Sequence, residues 1–428
     1  MQNSLLLLLI SVTTAITAMA QETTVYLQNH HSVFTPDQPA SYSLLDSAFY
    51  RHDVFLLGET HGYAAPQALD LALLKHLNQR VRLRHYVAEM DGGQAEFVNR
   101  YLVTGQTIWL DSLFRGFLSQ TMGGTSQWGN QQFYDKIVAI RAYNQTRPDS
   151  LRIRFLGVDW FQQKGAYALA VLRQLVQERV PASGAGPLLD SLRLLVGRSD
   201  VSLGKLLPLA PRLNADYQAN QERYSTLFGE QLLFFRQVFE MMTYANLGIS
   251  RDDVATHLTQ FLTTEGHLEH EKLYGLWGYT HVMRANVNGS ATLSGLLQQT
   301  GRKVVTMPTM MKDSRMLVHR DNVPFVFRKA GQTFVEMTYL DADGRVFGID
   351  GFSELLPVTQ ANQTTLIKLD APGSPYAQQL KLVKVSGMTG TKIKPGNAAT
   401  TVTTDYFQYV FVVRDSPAVT LWVDPQRR

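Results

Sequence analysis

Val54-Phe55-Leu56-Leu57-Gly58-Glu59-Thr60-His61-Gly62 is the stretch from which the fold of this 428-residue chain is read. A short apolar run closed by Gly and an acid reads as a buried strand that ends on ionisable side chains. Glu59 and His61 are two residues apart, so an extended backbone points both to the same side. Gly58 and Gly62 flank the pair and permit a sharp turn. The same ending recurs along the chain. Tyr86-Val87-Ala88 runs into Glu89, Ile153 to Val158 into Asp159, and Leu273 to Trp277 passes through Gly278 to His281; Val304-Val305 leads to Thr306 and Pro308. Between the first two strands, Leu69, Leu73, Leu74 and Leu77 follow Pro66 at helical spacing. That spacing predicts a helix over 66–80 and a βαβ unit with parallel strands. A second helix is expected over 132–144, feeding the Ile153 strand. The pattern predicts an α/β fold, with a mostly parallel central sheet flanked by helices.

Further along, Gly165 to Glu271 is Leu-rich and helical. Its stripe Phe228, Leu232, Phe235, Phe239 and Met242 reads as the core-facing side of a helix rather than a cofactor box. From about Asn322 the composition turns to β: Val326-Phe327, Thr333 to Tyr339, Leu380 to Val385 and Tyr406 to Val413, separated by Pro/Gly turn clusters. The expected division is a signal peptide over 1–20, an α/β catalytic domain in two parts over 21–164 and 272–320, an α-helical insertion over 165–271, and a β-rich part over 321–428 that completes the core or is appended to it.

The first 20 residues carry no charged side chain; the apolar run Leu5 to Ile10 and the small-residue ending Ala18-Met19-Ala20 fit an exported precursor cleaved before Gln21. A secreted or periplasmic location is therefore expected. No other window has the roughly 20 apolar residues that span a bilayer. The absence of Cys excludes a lipid anchor, disulfides and thiolate chemistry. A balance of 40 Lys+Arg against 36 Asp+Glu gives no nucleic-acid signal, and the basic run Arg80 to Arg84 reads as a solvated helix end.

In an open α/β sheet, ligands bind outside the carboxyl ends of the parallel strands. Strand ends carrying Glu59 with His61, Glu89, Asp159 and His281 therefore point to one polar cleft. The sequence has no Gly-x-Ser-x-Gly elbow, no phosphate-binding Walker loop, no dinucleotide glycine fingerprint and no His-Glu-x-x-His.

Taken together, the Val54–Gly62 segment, Glu89 at the end of the second strand, Phe155-Leu156-Gly157-Val158-Asp159 and Gly275-Leu276-Trp277-Gly278-Tyr279-Thr280-His281-Val282 resemble the erythromycin esterase-like family. That family sits in a wider group with the ChaN-like haem-binding lipoproteins and the TraB/TIKI metalloproteases. Arg251-Asp252 resembles an Arg-acid pair opening a helix, although Leu258 stands about where that motif carries Asn. The resemblance covers roughly residues 54–311 and implies a hydrolase acting on a small molecule or peptide. His61 would be the general base. Glu59 or Glu89 would orient it, and His281 with Arg251 would stabilise an oxyanion. Asp159, Tyr63 and Trp277 would contact substrate. No cofactor is firmly implied. A metal-dependent variant would place Mn, Co or Zn on Glu59, His61, Glu89 and His281. A haem-binding alternative would use Tyr63 and His61.

Overall fold

A computed structural model describes residues 21–119, 127–245, 247–323, 325–328, 330–338, 341–344, 347–387 and 390–427. The expected signal peptide lies outside the described residues. The first six strands are β1 (His31–Phe34), β2 (Val54–Glu59), β3 (His85–Ala88), β4 (Arg154–Gly157), β5 (Leu273–Gly278) and β6 (Val304–Lys312). They are followed by β7 (Met316–His319), β8 (Phe334–Met337), β9 (Phe347–Ile349), β10 (Thr364–Lys368), β11 (Val385–Gly387), β12 (Gly390–Ile393) and β13 (Tyr409–Arg414). Eight form one sheet in the order β1-β10-β13-β6-β2-β5-β3-β4. Neighbours from β13 to β4 run parallel; β10 and β1 close the other edge antiparallel. The fold is the expected α/β arrangement.

Helices Ala65–Val81 and Gln131–Gln145 match the expected spans, the second capped by Asn130. β2 and β3 are parallel as predicted, but β5 lies between them, so the βαβ unit skips one strand. Every residue of β2 is buried, and its alternation divides the core. Phe55 and Leu57 pack with Leu73 and Leu77 of Ala65–Val81 and with Val98 and Phe114. Val54 and Leu56 face the other side, with Val254 and Leu258 of the helix Arg251–Glu265. Both sheet faces are covered, which explains why the central strands are continuous apolar runs.

Helices between residues 166 and 245 hold a core of their own, in which Phe228, Phe235, Phe239 and Met242 are buried and Leu232 packs at the edge. In the C-terminal part, β10 and β13 extend the main sheet; the others form the sheet β12-β11-β9 and the hairpin β7–β8. Three expectations need correction here. Val326-Phe327 is not a strand: it lies in the 3-10 turn Phe325–Phe327, where Phe325 and Val326 are 83% and 77% exposed. Of Leu380 to Val385 only Val385 enters a strand. Tyr406 closes the short helix Thr403–Tyr406, so that segment becomes strand only from Tyr409. Apolar β-formers were read as strands where neighbouring turns take them out of a ladder. Among the described residues, no helix is long and apolar enough to cross a membrane.

Gly275 fixes how β5 meets β3. A Cβ there would lie 2.2 Å from the Val87 carbonyl oxygen, the same oxygen that accepts the Trp277 indole N–H at 2.9 Å. Gly275→Ala is therefore expected to destabilise the protein by about 1–3 kcal/mol, read as a lower urea midpoint. An unchanged midpoint would show that the two backbones can part without cost.

Candidate active site

The β3–β5 ladder registers only His85↔Leu273 and Tyr86↔Tyr274. Beyond it the strands splay, and the N–H groups of Leu276 and Gly278 that would face β3 need other acceptors. Tyr86 Oη accepts the Leu276 N–H at 3.3 Å, and Glu89 Oε2 accepts the Gly278 N–H at 2.8 Å. The splay opens a cleft at the carboxyl ends of the strands, with Glu89 inside it.

β2 delivers the next pair. His61 Nδ1 donates to Glu59 Oε1 at 3.0 Å, and Gln67 Nε2 donates to Glu59 Oε2 at 3.2 Å. The turn is pinned at Gly62, whose φ of 98° suits glycine and whose carbonyl accepts the N–H groups of Leu317 and Val419 at 3.0 Å each. A Cβ at Gly62 would lie 2.5 Å from the Leu317 carbonyl oxygen.

From the opposite face comes the helix Arg251–Glu265, started by Ser250 in a capping box with Asp253. Its first residue, Arg251, donates from Nε to Asp159 Oδ1 at 2.7 Å and from Nη2 to Asp159 Oδ2 and, at 2.8 Å, to Glu89 Oε1. Its second, Asp252, accepts a short hydrogen bond from His281 Nδ1. His281 Nε2 stands 3.5 Å from Arg251 Nη1 and 3.9 Å from Glu89 Oε1.

Both imidazoles converge on Gly278. A Cβ at that position would lie 3.4 Å from His61 Nε2 and 3.3 Å from His281 Cδ2. Two histidines, each held at Nδ1 by its own carboxylate, thus flank one glycine. Their side chains are 32% and 17% exposed, whereas Glu59 and Glu89 are buried.

Burial works to lower the pKa of His61, but its hydrogen bond to Glu59 and the charges of Glu59 and Glu89 outweigh it and raise it. His281 follows the same pattern: burial opposes, while the bond and charge of Asp252, then Glu89, raise it. Burial would raise the Glu89 pKa, yet His61, Arg251, His281 and the Gly278 N–H together hold it low. Its neighbour Asp91, which caps the helix Gly92–Thr104, is pushed up to about 7 mainly by burial.

The structure therefore brings Glu59, His61, Glu89, Arg251, Asp159 and His281 together. The three residues expected to contact substrate are all buried. Asp159 is 0% exposed and engaged by Arg251; Trp277, also 0% exposed, packs its ring edgewise to His281 at 5.8 Å between centroids. Tyr63 is 1% exposed, in an apolar cluster with Met311, Met316 and Val318, so it parts from His61 rather than sharing a ligand with it. Sequence reading missed Asp252 as the partner of His281, Gln67 as the second support of Glu59, and Trp128, whose ring lies 6.4 Å from that of His61. The adjacent acids of Arg251-Asp252-Asp253 were the available signal for the first.

The donor set does not fit a divalent cation. The guanidinium already lies on Glu89 and Asp159, Glu59 is taken by His61 and Gln67, and no three metal-ligating side chains group together among the described residues.

No family model matches the chain, and no curated protein matches it by sequence. Solved structures do. A Bacillus cereus protein aligns over 94% of this chain and 99% of its own, with TM-score 0.65 and 14% identity. A succinoglycan biosynthesis protein aligns over 94% and 98%, with TM-score 0.61 and 13% identity. A mutant of the erythromycin esterase EreC in its open conformation aligns over 90% and 98%, with TM-score 0.58 and 13% identity. The likeness establishes a shared fold across nearly the whole length of each.

Because both histidines titrate above the ordinary value near 6.5, the fold favours their charged forms. That contribution to stability is fully present below the ordinary value and is lost as pH rises through the raised one. In NMR titrations Glu59→Gln is expected to lower the pKa of His61, and Asp252→Asn that of His281. A His281 pKa unmoved by Asp252→Asn would remove Asp252 from the site.

Proposed function

We propose that this protein is a hydrolase that directs water onto an ester, lactone or amide carbonyl, with His61 as general base. The carrying observation is the placement of two separately oriented imidazoles over Gly278. His61 has Nδ1 on Glu59, so in its neutral form Nε2 is the basic atom. It takes a proton from water while the water oxygen bonds to the carbonyl carbon. Glu59 stabilises the imidazolium that results, and Gln67 holds Glu59 in place.

His281 suits the complementary task. Asp252 and Glu89 favour its charged form, in which Nε2–H is offered to the carbonyl oxygen as negative charge develops there. Arg251, whose Nε and Nη2 are committed to Asp159 and Glu89, presents Nη1 beside that same Nε2. When the tetrahedral adduct collapses, the bond to the leaving group breaks and the departing atom takes the proton held on His61. The base must start neutral while the acid starts charged, and this division gives a bell-shaped pH–rate profile.

The fold shared with an erythromycin esterase and the resemblance of the strand-end motifs support this class of reaction. The helices between residues 166 and 245 are tied to the end of β4 by Gln237, which donates to the Gly157 carbonyl oxygen at 2.5 Å, and this attachment beside Asp159 supports a role for them in substrate selection. The leader-like composition of the first 20 residues supports a periplasmic or secreted location.

Against a panel of aryl esters and lactones, His61→Ala is expected to reduce turnover by roughly 10²–10⁴-fold while the thermal transition is retained. Glu59→Gln should move the acidic limb of the pH–rate profile to lower pH, because it removes the group that raises the pKa of His61. Undiminished turnover in folded His61→Ala would sink the mechanism.

A further inference from the structure

The adjacent parallel strands β4, β3, β5, β2 and β6 bring their amino ends to the sheet edge opposite the cleft. Backbone bonds hold these ends level: Arg154 N–H to Arg84 O and Asp53 N–H to Lys303 O at 2.8 Å, and Leu273 N–H to Asp53 O at 2.8 Å. The first residue of each strand and the three before it together include eight Lys or Arg against two acids, Asp53 and Glu271. That surplus of six exceeds the +4 of the entire chain. The strand starts at this edge are thus basic although the composition of the chain is near neutral.

Of the eight cations, Arg84 pairs with Glu271 at 2.8 Å and Arg152 with Asp149 at 2.9 Å. The other six, Arg51, Arg82, Arg154, Lys272, Arg302 and Lys303, form no ion pair among the described residues. Arg51, Arg82, Arg154 and Lys303 are exposed. The field is felt locally: burial and then the Arg84 charge push His85 down to about 4.

We propose that this edge docks an extended acidic polysaccharide carrying a carboxylate or sulfate on successive sugars. Three features select that partner. First, the cations belong to the starts of five adjacent strands, whose separation of about 4.8 Å spreads them over about 19 Å of the edge, a step close to the repeat of one pyranose in an extended chain. Second, arginine predominates, and its planar fork suits carboxylate and sulfate groups better than a lysine ammonium does. Third, the large exposed apolar side chains, among them Trp160, Phe325 and Val326, belong to other segments. The edge therefore lacks both the aromatic platforms on which single-stranded nucleic acid stacks and the apolar anchors of a membrane-bound face. Docking here turns the cleft away from the polymer. The inference stands whether or not the hydrolase reading holds.

The test is titration of the full chain with polygalacturonate at about 20 mM and about 200 mM NaCl, with dextran as neutral control. The expected result is binding to polygalacturonate alone, weakened about ten-fold or more both by the added salt and by the triple variant Arg82→Glu, Arg154→Glu, Lys303→Glu. These three side chains are exposed and unpaired, so the thermal transition should persist. The milder pair Arg154→Gln, Lys303→Gln, expected to weaken binding less, serves if charge reversal impairs folding. Absence of wild-type binding at low salt, an undiminished affinity in the folded variant, or tighter binding to single-stranded poly(dT) or phosphatidylglycerol vesicles would each overturn the assignment.

Discussion

The site depends on the parting of β3 and β5. Once the ladder ends at Tyr86↔Tyr274, two buried N–H groups of β5 lose their strand partner, and leaving each unpaired would cost about 1–3 kcal/mol. Tyr86 and Glu89 satisfy them instead. Tyr86 is itself fixed, donating at 2.8 Å to Asp70, which is also paired at 2.5 Å with the buried ammonium of Lys136. The Gly278 N–H in turn favours an ionised Glu89, and an ionised Glu89 draws Arg251, His61 and His281 toward it. A structural requirement of the sheet thus places the negative charge around which the cleft is built.

Charge balance then explains the histidines. Of the four carboxylates Glu59, Glu89, Asp159 and Asp252, Arg251 pairs with Glu89 and Asp159, and the other two pair with histidines. Protonating an imidazole relieves the excess, which is why both pKa values rise despite burial. The two histidines are nonetheless oriented independently. Glu59 reaches His61 from two residues away on its own strand, whereas Asp252 reaches His281 from a helix on the other sheet face. Either ring can be perturbed without releasing the other from its carboxylate.

Much of this was legible in the sequence, and the failures share a cause. Short apolar runs ending in Glu59, Glu89, Asp159 and His281 announced both the parallel strands and the cleft, because strand direction alone sends those residues to one edge. What escaped were facts of tertiary pairing. The insertion of β5 between β2 and β3 leaves no local trace, and neither do β1 and β10, which gain their hydrogen bonds only from β13 and each other. Strand parity sets the place of Trp277: it shares a face with Leu273, inward toward Val254 and Leu258, while Gly278 points to the cleft side. Tyr63 follows a turn, where alternation no longer predicts direction.

The same parallel topology sorts charge along the strands. Each helix that precedes a parallel strand ends at the amino edge of the sheet with its carbonyls outward, and each that follows begins at the carboxyl edge with its N–H groups outward. The macrodipole favours cations at the first place and anions at the second. Asp91 at a helix N-cap and Asp252 in a first turn obey that rule, as do Arg82 and Arg302 beyond helix C-termini. The dipole sets the sign of each edge but not the amount. Four helices, Ala65–Val81, Gln131–Gln145, Arg251–Glu265 and Leu293–Gln299, end before β3, β4, β5 and β6. At about half a charge each they present roughly two negative charges, against a surplus of six cations. Helix capping therefore accounts for only a minor part of the basic edge. The remainder is positive charge held on one edge against its own repulsion, an arrangement that is relieved when a polyanion lies along it.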